Sequence, residues 1–368
     1  MILVTGGAGF IGSHLVEELL RRGERVRVLD SFVDQVHRDS PFELPSDVEV
    51  VRGDVRDRAL VDSTLNGVEV VFHEAAEVGV GQSMYEIERY VGANTFGTST
   101  LLEALVARRG QIRKLIVASS MSIYGEGAYL CGECGPVAPT LRGIAQLESR
   151  DWEMRCPKCQ AALQAVATPE TKPLDPASVY AVTKQDQEQL CIITGRAYGI
   201  PTVALRYFNV YGARQALSNP YTGVAAIFSS RLLNGQPPLI FEDGLQSRDF
   251  SHVSDIVQAN LLAMESDAAN FESINVGTGI ATSVRRMAEL LSEGLGVAIE
   301  PETVGRFREG DIRHCYSDIS KARQLLGFEP RVSVNDGIPQ LLEWVRAQQP
   351  FDSVERATLE LESRGLVR

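Results

Sequence analysis

Tyr180 and Lys184, in the stretch Tyr180-Ala181-Val182-Thr183-Lys184, can do proton chemistry if that stretch is helical. Residues four apart share a helix face, so the ammonium can stand close to the phenol. A tyrosine with a pKa of about 10 is a poor base at neutral pH, and a neighbouring positive charge is what makes proton abstraction from a hydroxyl feasible. Taken alone, this spacing also fits an incidental pair on a surface helix. The segment Ser119-Ser120-Met121-Ser122-Ile123-Tyr124-Gly125 shifts the balance. It follows the apolar run Leu115 to Ala118, which puts its hydroxyls at the C-terminal edge of a sheet, where α/β folds bind their ligands.

A second constellation lies at the start of the chain. Gly6, Gly9 and Gly12, with Phe10 and Ile11 between them, connect the apolar run Ile2-Leu3-Val4 to an amphipathic stretch from Ile11 to Arg22. Glycines at this spacing let the backbone turn tightly and approach a pyrophosphate, while the free N–H groups of the helix N-terminus face the anion. A plain tight turn is the alternative. Asp30 argues for a dinucleotide, because it ends the next strand, where a carboxylate can accept from both ribose hydroxyls and repel a 2′-phosphate. NAD is therefore expected rather than NADP. Asp54 and Val55, after a third strand, are placed to meet the adenine, although Gly53-Asp54 also suits a surface turn.

The third constellation is Cys131-Gly132-Glu133-Cys134 and Cys156-Pro157-Lys158-Cys159, two CxxC pairs 21 residues apart. This spacing suits four thiolates around a tetrahedral zinc, with Gly132, Gly135 and Pro157 shaping the knuckles. Iron, a redox disulfide or no metal are the alternatives. Four thiolates leave no open position, so the expected role is structural. The stretch from 127 to 173 has no sustained periodicity and reads as an inserted, zinc-ribbon-like module that shapes the lip of the neighbouring pocket. Cys191 and Cys315 have no spaced partners and are expected to be buried or incidental.

Positioning these groups requires alternating strands and helices. Short apolar runs at 26–29, 48–51, 70–72, 115–118 and 202–205 alternate with helix-like stretches at 90–108 and 180–198. That rhythm predicts an α/β fold with a doubly wound parallel sheet of the Rossmann type. The expected division gives residues 1–126 and 174–210 to the cofactor domain and 127–173 to the metal module. Residues 211–350 mainly bind substrate, and 351–368 form a charged helical tail. The net charge of -12 disfavours nucleic acid and anionic membranes as partners. No run of about 18 apolar residues is present, and Met1 leads directly into a strand, so a cytoplasmic location is expected.

At this point the chain resembles the extended short-chain dehydrogenase/reductases, the nucleotide-sugar epimerase and dehydratase family, over roughly residues 1–345. The resemblance rests on Thr5 to His14, Asp30, Gly53-Asp54-Val55, His73-Glu74-Ala75-Ala76, Asn94, Ser119 to Gly125, Tyr180 with Lys184, and Arg206 to Gly212. Arg248 to Asp255 and Gly310-Asp311 extend it. It implies that Tyr180 is the acid/base, Lys184 its tuner and Ser120 the hydroxyl that orients the sugar O4. It further implies that Ala75, Ala76, Asn94, Ser119 and Tyr207 join Tyr180 and Lys184 in the NAD site. Ser122, Asn209 and Arg248 would contact the substrate, and Arg308 with Asp311 would hold the nucleotide. The family's 4,6-dehydratases carry an Asp-Glu pair where this chain has Met121-Ser122, so dehydration is not expected. Glu74 and Gly92 depart from the family's commoner residues.

The implied reaction is a 4-epimerisation, in which Tyr180 takes the O4 proton while hydride passes from C4 to NAD, and the hydride returns to the other face of the rotated keto sugar. The cysteine module, Glu77 to Glu86, Met121 to Gly125 and Ser218 to Gly223 together resemble one bacterial group within the family, acting on a dTDP-linked deoxyhexose. A UDP-hexose or UDP-uronate is the alternative substrate. An alternative of another class is a non-catalytic NAD sensor that docks a partner through its metal module. The resemblance also implies a homodimer joined through the 90–108 and 180–198 helices.

Overall fold

The computed structural model describes residues 1–37 and 43–368. The short apolar runs form one parallel seven-stranded sheet: β1 (Ile2–Thr5), β2 (Val26–Asp30), β3 (Glu49–Arg52), β4 (Val70–His73), β5 (Lys114–Ser120), β6 (Thr202–Tyr207) and β7 (Ser273–Val276). Their spatial order is β7-β6-β5-β4-β1-β2-β3. The order reverses beside β1, which pairs with β2 on one side and β4 on the other, and this opens a crevice at the C-terminal end of β1.

Side chains alternate faces along each strand, so the sheet carries a core on both sides. On one face Val4, Val28, Phe72 and Ile116 pack with Leu15, Val16 and Leu19 of helix α1 (Phe10–Arg21). Ile256 and Leu261 of a later helix complete that layer. On the other face Leu3, Val71, Leu115 and Val117 pack under Leu101 and Leu105 of α2 (Gly97–Ala107) and Cys191 of α3 (Val179–Tyr198). A separate smaller core joins Phe228, Met287, Leu291, Ile338 and Leu342, from helices Val224–Leu233, Val284–Leu295 and Val334–Val345.

The expected division at residue 210 is crossed by the chain. Strand β7 and the helix Val253–Glu265, α4, return to the large sheet from within 211–350. No periodicity announces β7, because Asn275, buried at its centre, carries a polar side chain that bonds to Thr168 and Asp318 carbonyls. The 127–173 stretch contains a three-stranded antiparallel sheet, with Ala128–Cys131 between Gly135–Val137 and Gln164–Val166, and a short helix, Ile144–Glu148. The tail forms helix α5 (Val354–Ser363), and its last residue bonds to Phe307 in both directions, Phe307 N to Arg368 O at 2.9 Å and Arg368 N to Phe307 O at 3.0 Å.

Candidate active site

The glycine-rich turn has the conformation a dinucleotide requires. Gly6 takes φ +69°, and a Cβ there would lie 2.8 Å from the Ala75 backbone; a Cβ on Gly12 would lie 2.2 Å from the Gly6 carbonyl. Gly9 caps α1 without any side-chain hydrogen bond, leaving the first N–H groups of Phe10 and Ile11 to face outward. Asp30, at the end of β2, accepts from Ala8 N at 3.0 Å and Phe32 N at 2.8 Å, which fixes its carboxylate beneath the turn. Asp54 is spent on Arg56, at 2.6 Å, and Val55 packs inward against Gly97.

Three residues expected at the cofactor have committed side chains. Ser119 donates to Glu188 at 2.6 Å, and Glu188 in turn is ion-paired with Arg206. Asn94 is fully buried; its amide accepts from Glu77 N and donates to Glu77 O and Thr183 Oγ1, tying the loop after β4 to α3. Tyr207 donates to Glu74 at 2.8 Å and accepts from Asn260 at 2.7 Å. The side chains of Ser119 and Asn94 thus also brace the frame around the crevice. Ala75 lies against Gly6, and its carbonyl accepts from Gln187; Ala76 follows it on the same partly exposed loop.

The catalytic candidates meet at the C-terminal edge of β5 and β6, where Ser120 stands opposite Tyr207 in register. Ser178 caps α3 by accepting from Ala181 N at 3.1 Å, which starts the helix two residues before Tyr180. Ser83 Oγ accepts from Tyr180 N at 3.0 Å, and the Tyr90 ring meets the Tyr180 ring edge-on at 6.4 Å. Ser120 Oγ accepts from Ser122, N at 3.2 Å and Oγ at 2.9 Å.

The electrostatics differ from the expectation that Lys184 lowers the Tyr180 phenol. Burial raises the Tyr180 pKa above its ordinary value, and the Ser120 hydrogen bond opposes this. The Lys184 ammonium donates to Gln187 Oε1 at 2.8 Å and, through burial, is itself pushed down to about 8, with the Glu74 charge opposing. In the protein alone, burial thus works against ionisation of the Tyr180 phenol.

Glu74 is the residue at this edge to which sequence reasoning gave no role. Burial pushes its carboxyl up to about 7, against the Tyr207 hydrogen bond and the Lys184 charge. Its departure from the family's commoner residue was the one available signal.

Of the substrate candidates, Asn209 has a buried side-chain oxygen with no hydrogen-bond partner among the described residues. Arg308 stacks over the Phe241 ring at 4.1 Å, and its buried Nε has no hydrogen-bond partner among the described residues. Gly310, at φ +87°, turns the Arg308–Asp311 segment against the Ala177 carbonyl, next to the start of α3. Arg248 instead donates to the carbonyls of Ser247, Ile312 and Arg313, so it braces this segment from behind. Ser122 is held on Ser120.

Cys131, Cys134, Cys156 and Cys159 bring their sulfurs within 4.8 Å of one another. Zinc–sulfur bonds of about 2.3 Å in a tetrahedron separate the sulfurs by about 3.8 Å, so this donor set fits zinc. Cys191 and Cys315 are buried, and burial pushes both thiols up to about 12. Among the described residues no helix is long and apolar enough to cross a membrane.

A parallel sheet with a glycine crevice at its switch point, and a Tyr-Lys helix against it, define a dinucleotide-dependent α/β enzyme. The model of the NAD dependent epimerase/dehydratase family matches residues 2–140 and 157–277, and the chain belongs to that family. It is an enzyme of the epimerase, or isomerase, type. It is 36% identical to a dTDP-L-rhamnose 4-epimerase from Burkholderia thailandensis, over 94% of each chain. It is 35% identical to a putative UDP-glucose 4-epimerase from Methanocaldococcus jannaschii, over 94% of this chain and 98% of that one. The structure of UDP-glucose 4-epimerase with UDP-glucose from Thermotoga maritima superposes with a TM-score of 0.75 at 33% identity, covering 94% of this chain and 98% of the other.

Proposed function

We propose that this enzyme is an NAD-dependent nucleotide-sugar 4-epimerase whose substrate is dTDP-L-rhamnose. What supports the reaction is that Ser120, at the end of β5, hydrogen-bonds Tyr180 of α3, with Lys184 four residues further along the same helix. The Gly6–Gly12 turn, Asp30, Ala75, Ala76 and Tyr207 would hold NAD, which supplies a reversible hydride acceptor for C4. Ser120 orients the sugar O4, and Tyr180 removes its proton on oxidation and returns it on reduction. Because burial raises the phenol, its deprotonation depends on positive charge from Lys184 and the oxidised cofactor together. Met121 and Ser122 offer no carboxylate to abstract a proton elsewhere on the ring, so the keto sugar has no route to dehydration.

Asn209, Arg308 and Asp311 would take the nucleotide sugar. The Burkholderia relative and the four-cysteine module favour dTDP-L-rhamnose; the Methanocaldococcus and Thermotoga proteins support a UDP-hexose or UDP-uronate as the second reading. The cysteines would hold a structural zinc. A homodimer is supported by exposed Ile87, Val91 and Phe96 before α2 and exposed Val182 and Ile193 on α3.

A proton NMR time course in deuterated water, without added NAD, tests the assignment against dTDP-L-rhamnose, UDP-glucose and UDP-glucuronate. The expected result is interconversion at C4 of dTDP-L-rhamnose with the C4 hydrogen retained. Faster turnover of a UDP-sugar would move the substrate assignment. No turnover after NAD is supplied would sink the 4-epimerase reading for this panel and favour a non-catalytic NAD-binding role.

A further inference from the structure

The cysteine module is joined to the rest of the molecule by buried charges. Arg142, whose side chain is 1% exposed, grips Glu242 with two bonds of 2.8 Å. The same guanidinium donates to Trp152 O at 3.0 Å and to Asp311 O at 3.1 Å. Arg313, with a fully buried side chain, donates to Glu242 at 3.1 Å, to Asp243 at 2.7 and 2.9 Å, and to Glu153 of the module. Glu126, just before the module, accepts from the backbone N–H groups of Arg313 at 2.6 Å and His314 at 3.3 Å.

We propose that the module is a positioning element for the nucleotide, holding the Arg308–Arg313 segment in the conformation that accepts a nucleoside diphosphate. The inference rests on the reading of Arg308 and Asp311 as nucleotide contacts. Its physical basis is that the segment is clamped from two sides. Arg248 holds the Ile312 and Arg313 carbonyls from the scaffold, while Arg142, Glu126 and Glu153 hold Asp311 O, two N–H groups and the Arg313 side chain from the module side. Asp311 itself is reached by Arg142 only through its carbonyl, which leaves its carboxylate to the ligand. Without Arg142, three carboxylates, from Glu242, Asp243 and Glu153, crowd one guanidinium, and a buried Glu242 loses its bidentate partner. Removing one partner of a buried ion set leaves an uncompensated charge and destabilises the arrangement around it. The segment attached to it therefore moves. The effect falls on the nucleotide end of the substrate, whereas the sequence pointed to the lip of the sugar pocket.

The test is calorimetric titration of dTDP and of UDP, without turnover, into the full-length wild type, Arg142→Met and Glu153→Gln. For Arg142→Met the nucleotide Kd is expected to rise at least about tenfold, a shift well within calorimetric resolution, with NAD affinity unchanged. Steady-state turnover should show the same rise in KM with little change in kcat, and Arg142→Lys should recover part of it. Glu153→Gln, at the half-exposed end of the cluster, should give a smaller rise of about threefold and keeps the test readable if Arg142→Met does not fold. Unchanged nucleotide affinity in the folded variants, alongside normal wild-type binding, overturns the positioning role and leaves only a docking contact. A wild type that binds neither nucleotide overturns the assignment of Arg308 and Asp311, and the inference with it.

Discussion

The cofactor edge and the module junction solve the same problem, placing a few polar groups, at opposite ranges along the chain. At the edge, position comes from short backbone devices: a left-handed Gly6, a helix capped by Ser178, and a hydroxyl on the last residue of its strand. At the junction it comes from ion pairs between residues 100, 71 and 160 apart in sequence. The edge is built for a ligand to complete, with an open crevice and a phenol kept protonated. The junction is largely complete, its buried guanidiniums held by carboxylates and carbonyls, with the Arg142 Nε left over. Perturbing the first should therefore change chemistry without changing the fold, and perturbing the second should change the fold first.

The largest expected effect is on chemistry alone. Tyr180→Phe removes the group that moves the O4 proton, and turnover should fall by about 10³-fold, within the range for loss of a general acid/base. Bound NAD content should stay near wild type and the thermal midpoint should fall by no more than the loss of one hydrogen bond, because the phenol's bond to Ser120 is its only tie to the sheet among the described residues. Turnover near normal, or loss of the fold, would erase the contrast between the two regions.

Next in size is stability at the junction. Arg313→Met leaves Asp243 and Glu153 without their guanidinium and Glu242 with Arg142 alone, and breaking a buried ion set costs about 3–5 kcal/mol. Denaturant unfolding should show that loss. Arg155→Ala, in the same module, breaks only the half-exposed pair with Asp151 and should cost less than about 1 kcal/mol. Equal effects from the two substitutions would mean that the junction is no more than surface decoration.

This contrast also explains what the sequence made legible. The glycine turn, Asp30 and the Tyr-Lys pair were readable because their geometry is local, so residue type and spacing nearly determine it. Six strands of the large sheet announced themselves by apolar runs; β7 did not, because Asn275 occupies its centre to bond across to Thr168 and Asp318. Arg142, Glu242 and Arg313 carried no signal, since a buried charge looks like a surface charge until its partner is found. Ser119 and Asn94 were read as cofactor contacts through the resemblance, yet their side chains are consumed by Glu188, Glu77 and Thr183. Which face of a strand or helix a polar side chain takes depends on neighbours far along the chain, and spacing does not encode it.

The smallest predicted effect sharpens the edge itself, at Glu74. Its carboxyl is raised to about 7 from the ordinary 4.5, chiefly by burial, so the folded protein binds this proton more tightly than the unfolded chain does. The sign then follows: stability from this group is full below about pH 4.5 and is lost as pH rises through 7. Glu74→Gln keeps an acceptor for Tyr207 and cannot ionise. In the cofactor-free enzyme it should be more stable than wild type at pH 8, by about 1 kcal/mol, with the difference vanishing near pH 5. Thermal midpoints measured across that range decide the matter. A difference that does not change with pH would mean that Glu74 acts only through its hydrogen bond. The pH-dependent outcome would mean that the edge holds a carboxylate whose charge Lys184 only partly offsets, whereas Glu242 at the junction is paired by two guanidiniums.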